Sequence, residues 1–137
     1  MIKKIIITAL LLPLLSYSQM NVNKVEISIN GNAVIQCNGF LKLGDNSNLS
    51  KGGNLILKGD LQNDNTNNAQ HNVALTLNGT SKQTIKGNSF SCDYLSIQNP
   101  NNIYSAAQIG IGQELDLSKG VLEVNQSEKL VLAHSAK

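Results

Sequence analysis

The side chains able to do chemistry are few, and they stand apart from one another. His71 and Asp64 share one polar stretch, and His134 lies near the far end. A zinc site needs several His, Cys or carboxylate ligands at short helical or turn spacing, and neither His has such a companion. Both are read as surface decoration. Residues Asp60 to Asn68 have the oxygen-rich make-up of a calcium loop, with Asp60, Asp64 and several Asn. They lack the central Gly and the closing Glu that fold such a loop around the ion, so a solvated loop is expected. Cleavage of acidic polysaccharides needs clustered carboxylates for calcium or acid/base work, commonly beside a basic residue. Asp116 is preceded at twenty-residue steps by Ser96 and Thr76, which are not carboxylates, and the chain has no Arg. No Gly-x-Ser-x-Gly nucleophile elbow is present. Asn48, Asn78 and Asn125 head formal glycosylation sequons, which carry little weight here. The expected inventory is therefore no catalytic residue, no metal ligand and no cofactor.

The elements that would have to position any site repeat at a fixed step. Apolar-x-apolar triplets stand at Ile35-Gln36-Cys37, Leu55-Ile56-Leu57, Leu75-Thr76-Leu77, Leu95-Ser96-Ile97 and Leu115-Asp116-Leu117, each twenty residues after the last. A constant period of this length is the mark of a solenoid with one backbone turn per repeat. The expected fold is all-β, a right-handed parallel β-helix of about five coils with a repeat of about twenty residues. First and third residues of each triplet should stack inward, and Gln36, Ile56, Thr76, Ser96 and Asp116 outward. Turn pairs follow the triplets at Asn38-Gly39, Lys58-Gly59 and Asn78-Gly79, where positive φ is expected. No apolar row keeps helical spacing, so no helix is expected. Residues 62–72 lack a buried-strand pattern and read as a projecting polar loop. Cys37 belongs to the inward column of the first coil and Cys92 to a coil about three turns on. That separation of about 14 Å exceeds the roughly 7 Å reach of a disulfide, so no Cys37–Cys92 bond is expected.

The two ends read differently. Lys3 and Lys4, an apolar run from Ile5 to Leu15, and small residues at Ser16 and Ser18 make residues 1–18 a signal peptide, cleaved before Gln19. The run is too short, and interrupted by Pro13, to span about 30 Å of hydrocarbon. Without the leader, nine lysines face nine acids, so the mature chain is neutral. A neutral chain without Arg has no electrostatic footprint for nucleic acid. Residues 19–32, with alternating Val25, Ile27 and Ile29, are expected to cap the first coil, and residues 33–137 to carry the repeats. After Leu130-Val131-Leu132 no cap is visible, so the repeats are read as truncated at the C-terminus, with continuation or self-association covering that edge.

From Leu75 onward the text resembles the repeat regions of large secreted surface proteins of the Bacteroidetes group. The pieces that carry the resemblance are Leu77-Asn78-Gly79-Thr80-Ser81-Lys82-Gln83-Thr84-Ile85-Lys86-Gly87, then Leu95-Ser96-Ile97-Gln98-Asn99, then Leu115-Asp116-Leu117-Ser118-Lys119-Gly120-Val121-Leu122. The leader ending Ser16-Tyr17-Ser18-Gln19 is similar to that group's export signals. The resemblance implies a β-solenoid passenger of the type IX secretion pathway. Such proteins end in a sorting domain, so the chain is read as a fragment, bound for the surface or medium, or for the periplasm if no sorting domain follows. The function expected is a non-catalytic structural or adhesive scaffold meeting a surface glycan or protein. The alternative is a carbohydrate-binding or polysaccharide-cleaving β-helix. Sparse aromatics, with Phe40, Phe90, Tyr94 and Tyr104 the ones available, weigh toward the scaffold.

Overall fold

The computed structural model describes residues 18–67 and 70–133; residues 1–17, in which the signal peptide is expected, Asn68, Ala69 and residues 134–137, His134 among them, lie outside them. The described residues form fourteen strands and no helix. None of them makes a helix long and apolar enough to cross a membrane. The chain climbs as a β-solenoid of about six turns, one more than the five triplets count, because strands continue for a further turn after the last triplet, while the first triplet closes the first turn, made by residues 19–37. That first turn contains β1 (Gln19–Val22), β2 (Glu26–Ser28) and β3 (Val34–Cys37), and the second β4 (Phe40–Leu43), β5 (Asn48–Ser50) and β6 (Asn54–Leu57). Then come β7 (Leu61–Asn63), β8 (Gln70–Leu77), β9 (Gln83–Gly87), β10 (Phe90–Ile97), β11 (Ile103–Ser105), β12 (Ile109–Asp116), β13 (Leu122–Val124) and β14 (Leu130–Leu132).

Every strand pair is parallel, as one turn stacked on the next requires. One sheet runs β1-β4-β7-β9-β11-β13, a second β14-β12-β10-β8-β6-β3, and a third joins β2 to β5. From β8 onward the third face and the second merge into eight-residue strands. These strands turn a corner at Asp93, where the register with both neighbours shifts by a residue between Cys92 and Tyr94. The triplets pair in unbroken register: Ile35 with Leu55, Leu55 with Leu75, Leu75 with Leu95, and Leu95 with Leu115.

Alternation along each strand sends Leu55, Leu57, Leu75, Leu77, Leu95 and Ile97 into the core, each at most 1 % exposed. Leu41, Leu43, Leu61, Ile85, Ile103 and Ile109 line it from the other faces. Fully burying such a side chain stabilises by roughly 1.5–3 kcal/mol. The column loosens at its last member. Leu115 is half-buried and Leu117 is 45 % exposed, because β14 covers only Ile109 to Ile111 of β12 and leaves its second half uncovered among the described residues.

The glycines after the triplets have a different cause from the one their neighbours suggest. Positive φ occurs at Gly31, Gly52 and Gly87, but at none of Gly39, Gly59 and Gly79. Successive turns approach too closely there for a side chain. A Cβ on Gly59 would lie 2.4 Å from the carbonyl carbon of Gly39, and one on Gly79 would lie 2.4 Å from the Lys58 carbonyl oxygen. The glycine column is a packing contact between corners.

Candidate functional site

The corner where the second sheet hands the chain to the first is where local loop length varies. Two residues, Asn38 and Gly39, join β3 to β4, and three, Lys58 to Asp60, join β6 to β7. Five residues, Asn78 to Lys82, join β8 to β9. The step from short loops to a long one leaves a shelf under an overhang. The result is a groove of about 450 Å³ lined by Phe40, Lys58, Asp60, Thr80, Ser81 and Lys82 together with Asn38, Gly39, Gly59 and Gln83.

Buried amides hold the overhang. Gln83, 2 % exposed, donates from Nε2 to the carbonyls of Leu57 and Gly59 and accepts at Oε1 from Gly79 N at 2.8 Å. Asn99, fully buried, donates from Nδ2 to the same Oε1 at 2.9 Å and to Ser81 O at 2.7 Å. Its Oδ1 accepts from Asn101 N at 2.8 Å. Corner backbone leaves the ladder, so these side chains supply the partners that its amides and carbonyls would otherwise lack. Much of the Asn-richness works in this way. At another corner Asn63 donates to Ser89 O, and Asn65 to Ser47 O.

The groove's charges are partly engaged. Lys82 pairs with Glu123 at 3.3 Å and sits 5.3 Å from the Tyr104 ring centre. Lys86 lies 5.9 Å from the ring centre of half-buried Phe40. One oxygen of Asp60 accepts from Thr84 N at 2.8 Å. Lys58 is exposed and enters neither ion pair found among the described residues. The groove thus offers an ammonium donor, a carboxylate acceptor, the hydroxyls of Thr80 and Ser81, and an aromatic side chain. This is recognition chemistry. Asp60 is the single carboxylate in the lining, so the pair of acids used in glycoside hydrolysis is not assembled there.

The residues weighed for chemistry in the sequence lie elsewhere. His71 is not surface decoration. It is fully buried in β8, its Nδ1 accepts from Leu49 N at 3.1 Å, and its ring stacks on Phe90 at 5.2 Å. Burial pushes its pKa down to about 4. Its Nε2 has no partner among the described residues. Asp64 instead pairs with Lys42 at 2.8 Å and accepts from Gln62 at 2.8 Å, contacts that hold its carboxyl below the usual range. Asp116 does stack beside Ser96, whose hydroxyl donates to it at 3.0 Å. The Ser118 backbone N–H, with that contact, keeps its carboxyl low.

The stretch 62–72 is not a projecting loop in its described part. Its ends belong to β7 and β8, and Asn63, Asn65 and His71 are buried. Thr66 is tied to Asp45 through both N and Oγ1, and Asn67 bonds Asn46. The groove itself escaped the sequence reading. Its trace is the five-residue spacer Asn78 to Lys82 standing where earlier repeats have two or three residues. Comparison with known proteins finds no matching family model, curated protein or solved structure.

Proposed function

We propose that this chain is a non-catalytic, exported scaffold of structural or adhesive kind that holds its corner groove toward a glycan or protein at a cell surface. The observation that carries the reading is the groove: a step in loop length, fixed from inside by Gln83 and Asn99, on an otherwise regular stack. Regular stacking supplies stiffness, and loops fixed on a stiff frame are where such frames bind. The leader-like start, Lys3 to Ser18, supports export to the medium or cell surface, or to the periplasm without a sorting signal.

A second reading, a carbohydrate-binding or polysaccharide-cleaving solenoid, draws on Phe40 flanked by Thr80, Ser81 and Asp60 in that groove. The leader-free chain, applied to an array of neutral and acidic oligosaccharides and to intact cell surfaces, separates the two. Retention on a surface or glycan, weakened at least about tenfold by Lys58→Ala with an unchanged melt, supports the groove. Release of new reducing ends from a bound polysaccharide replaces the non-catalytic reading with the cleaving one. Binding that ignores both Lys58→Ala and Phe40→Ala removes the groove from the account.

A further inference from the structure

The corner groove is biased in what it leaves unpaired. Thr80 O accepts from Asn101 Nδ2 at 2.9 Å and Ser81 O from Asn99 Nδ2 at 2.7 Å, so the following turn takes up both carbonyls. The backbone N–H groups of Thr80, Ser81 and Lys82, three residues that line the groove, have no partner among the described residues. Lys58 adds an exposed ammonium, and Lys86, also exposed, lies over Phe40. Neither lysine enters an ion pair found among the described residues. Three amides and two ammoniums therefore remain as donors around one corner.

The acceptor side is smaller and lies beside an aromatic ring. Phe40 and Asp60 stand one place before Leu41 and Leu61, which pair, so ring and carboxylate are neighbours in one outward column, about 4.8 Å apart. Asp60 Oδ1 is taken by Thr84 N, and its Oδ2 has no partner among the described residues. The hydroxyls of Thr80 and Ser81 belong to the same lining. A ligand that uses all of this needs a flat C–H face for the ring, hydroxyls for Asp60, and an oxyanion for the donors. A sugar ring carrying an acidic group has all three. The groove, at about 450 Å³, is of small-ligand size, within the range of roughly 300–1,000 Å³.

We infer that the groove binds an acidic sugar residue of a surface glycan, its carboxylate or ester sulfate held by Lys58 and the amides of Thr80 to Lys82, its ring laid on Phe40. This rests on the groove as the binding site proposed above and names what enters it. Residues 19–137 hold nine lysines and nine acids, so preference for an acid comes from the local surplus of donors and not from overall charge. Hydrogen bonds to an ionised acceptor are the stronger kind, and successive backbone N–H groups outside a ladder make anion-binding concavities.

Calorimetry of the leader-free chain with three probes tests this: oligogalacturonate, the same oligosaccharide with its carboxyls reduced to alcohols, and a sulfated galactan oligosaccharide. An acidic probe should bind at least about tenfold more tightly than the reduced one, and the difference should shrink as salt rises. Lys58→Ala should erase that preference, whereas Phe40→Ala should weaken acidic and reduced probes alike. Oligogalacturonate bound ahead of the sulfated probe assigns a carboxylate, and the reverse order an ester sulfate. Equal affinity for acidic and reduced probes, still weakened by Phe40→Ala, overturns the acidic subsite and leaves the groove a glycan site. An acid preference that survives Lys58→Ala overturns the inference as well. So does binding of none of the three probes, which leaves the groove to a protein partner. Binding that ignores both variants removes the groove itself. If circular dichroism shows Phe40→Ala unfolded, Phe40→Leu, which keeps an apolar side chain without the flat ring, replaces it with the same outcomes expected.

Discussion

Leu77→Asp and Thr76→Asp place the same charge on adjacent residues of β8 and should have opposite consequences. Leu77 is 1 % exposed, paired with Leu57 on one side and Ile97 on the other. Replacing it forfeits roughly 1.5–3 kcal/mol of apolar burial. It also strands a carboxylate where none of the paired side chains can donate to it, which costs several kcal/mol more even if the acid is forced neutral. The sum reaches at least about 5 kcal/mol, the lower end of what holds a domain together. Thr76 is half-buried on the outer face between Ile56 and Ser96. Its replacement should cost under about 1 kcal/mol. Urea titration followed by circular dichroism reads both: Thr76→Asp should melt near wild type, and Leu77→Asp should be unfolded without denaturant. Leu77→Ala, expected to lose about 2–5 kcal/mol, checks that the deficit beyond the cavity comes from charge. A tolerated Leu77→Asp beside an unfolded Thr76→Asp would reverse the strand, and two tolerated variants would remove β8 from the core.

The other predictions concern buried polar and sulfur groups. Gln83→Leu leaves Leu57 O, Gly59 O, Gly79 N and Asn99 Nδ2 short of a partner; at about 1–3 kcal/mol for each unsatisfied group that water cannot reach, denaturation should report a loss of about 3 kcal/mol or more. His71 has a folded pKa of about 4 against an ordinary 6.5, so its contribution is intact above 6.5 and is lost as the pH falls toward 4, because only the unfolded chain takes up the proton readily. The limit is about 3 kcal/mol; urea midpoints across that window should slope with pH, and His71→Phe should flatten the slope. Cys92 is fully buried, and burial, with Asp93 beside it, pushes its thiol up to about 12. Native protein should therefore leave it unmodified by thiol reagents at neutral pH, and intact mass of the non-reduced protein should show Cys37 and Cys92 as free thiols.

The stack was legible because its cause is local and repeated. Alternation within a triplet fixes which side chains face in, and the twenty-residue step fixes which triplets meet, so Leu55, Leu75 and Leu95 could be placed before any coordinates. His71 was misplaced for the complementary reason. Its neighbours Gln70 and Asn72 are exposed, so alternation was present, but the inward members of that stretch were His71 and Asn63 rather than aliphatics. A reading that recognises core by apolarity passes over a polar residue turned inward, here one whose Nδ1 accepts from Leu49 N. The same blindness hid Gln83 and Asn99.

Fold and site in this chain are therefore written in different places. The fold lies in the inward columns, where any residue of similar size and apolarity serves and a change is felt along the whole stack. The groove lies in the length of one corner and in two amides that hold it. Shortening Asn78 to Lys82 to the two residues used between β3 and β4 would keep every inward column yet lower the overhang onto the shelf. Adding residues there would leave Gln83 and Asn99 without the backbone they bind. A solenoid can carry such a change because each turn contacts only its neighbours. The corner can be altered while the columns on either side keep their register.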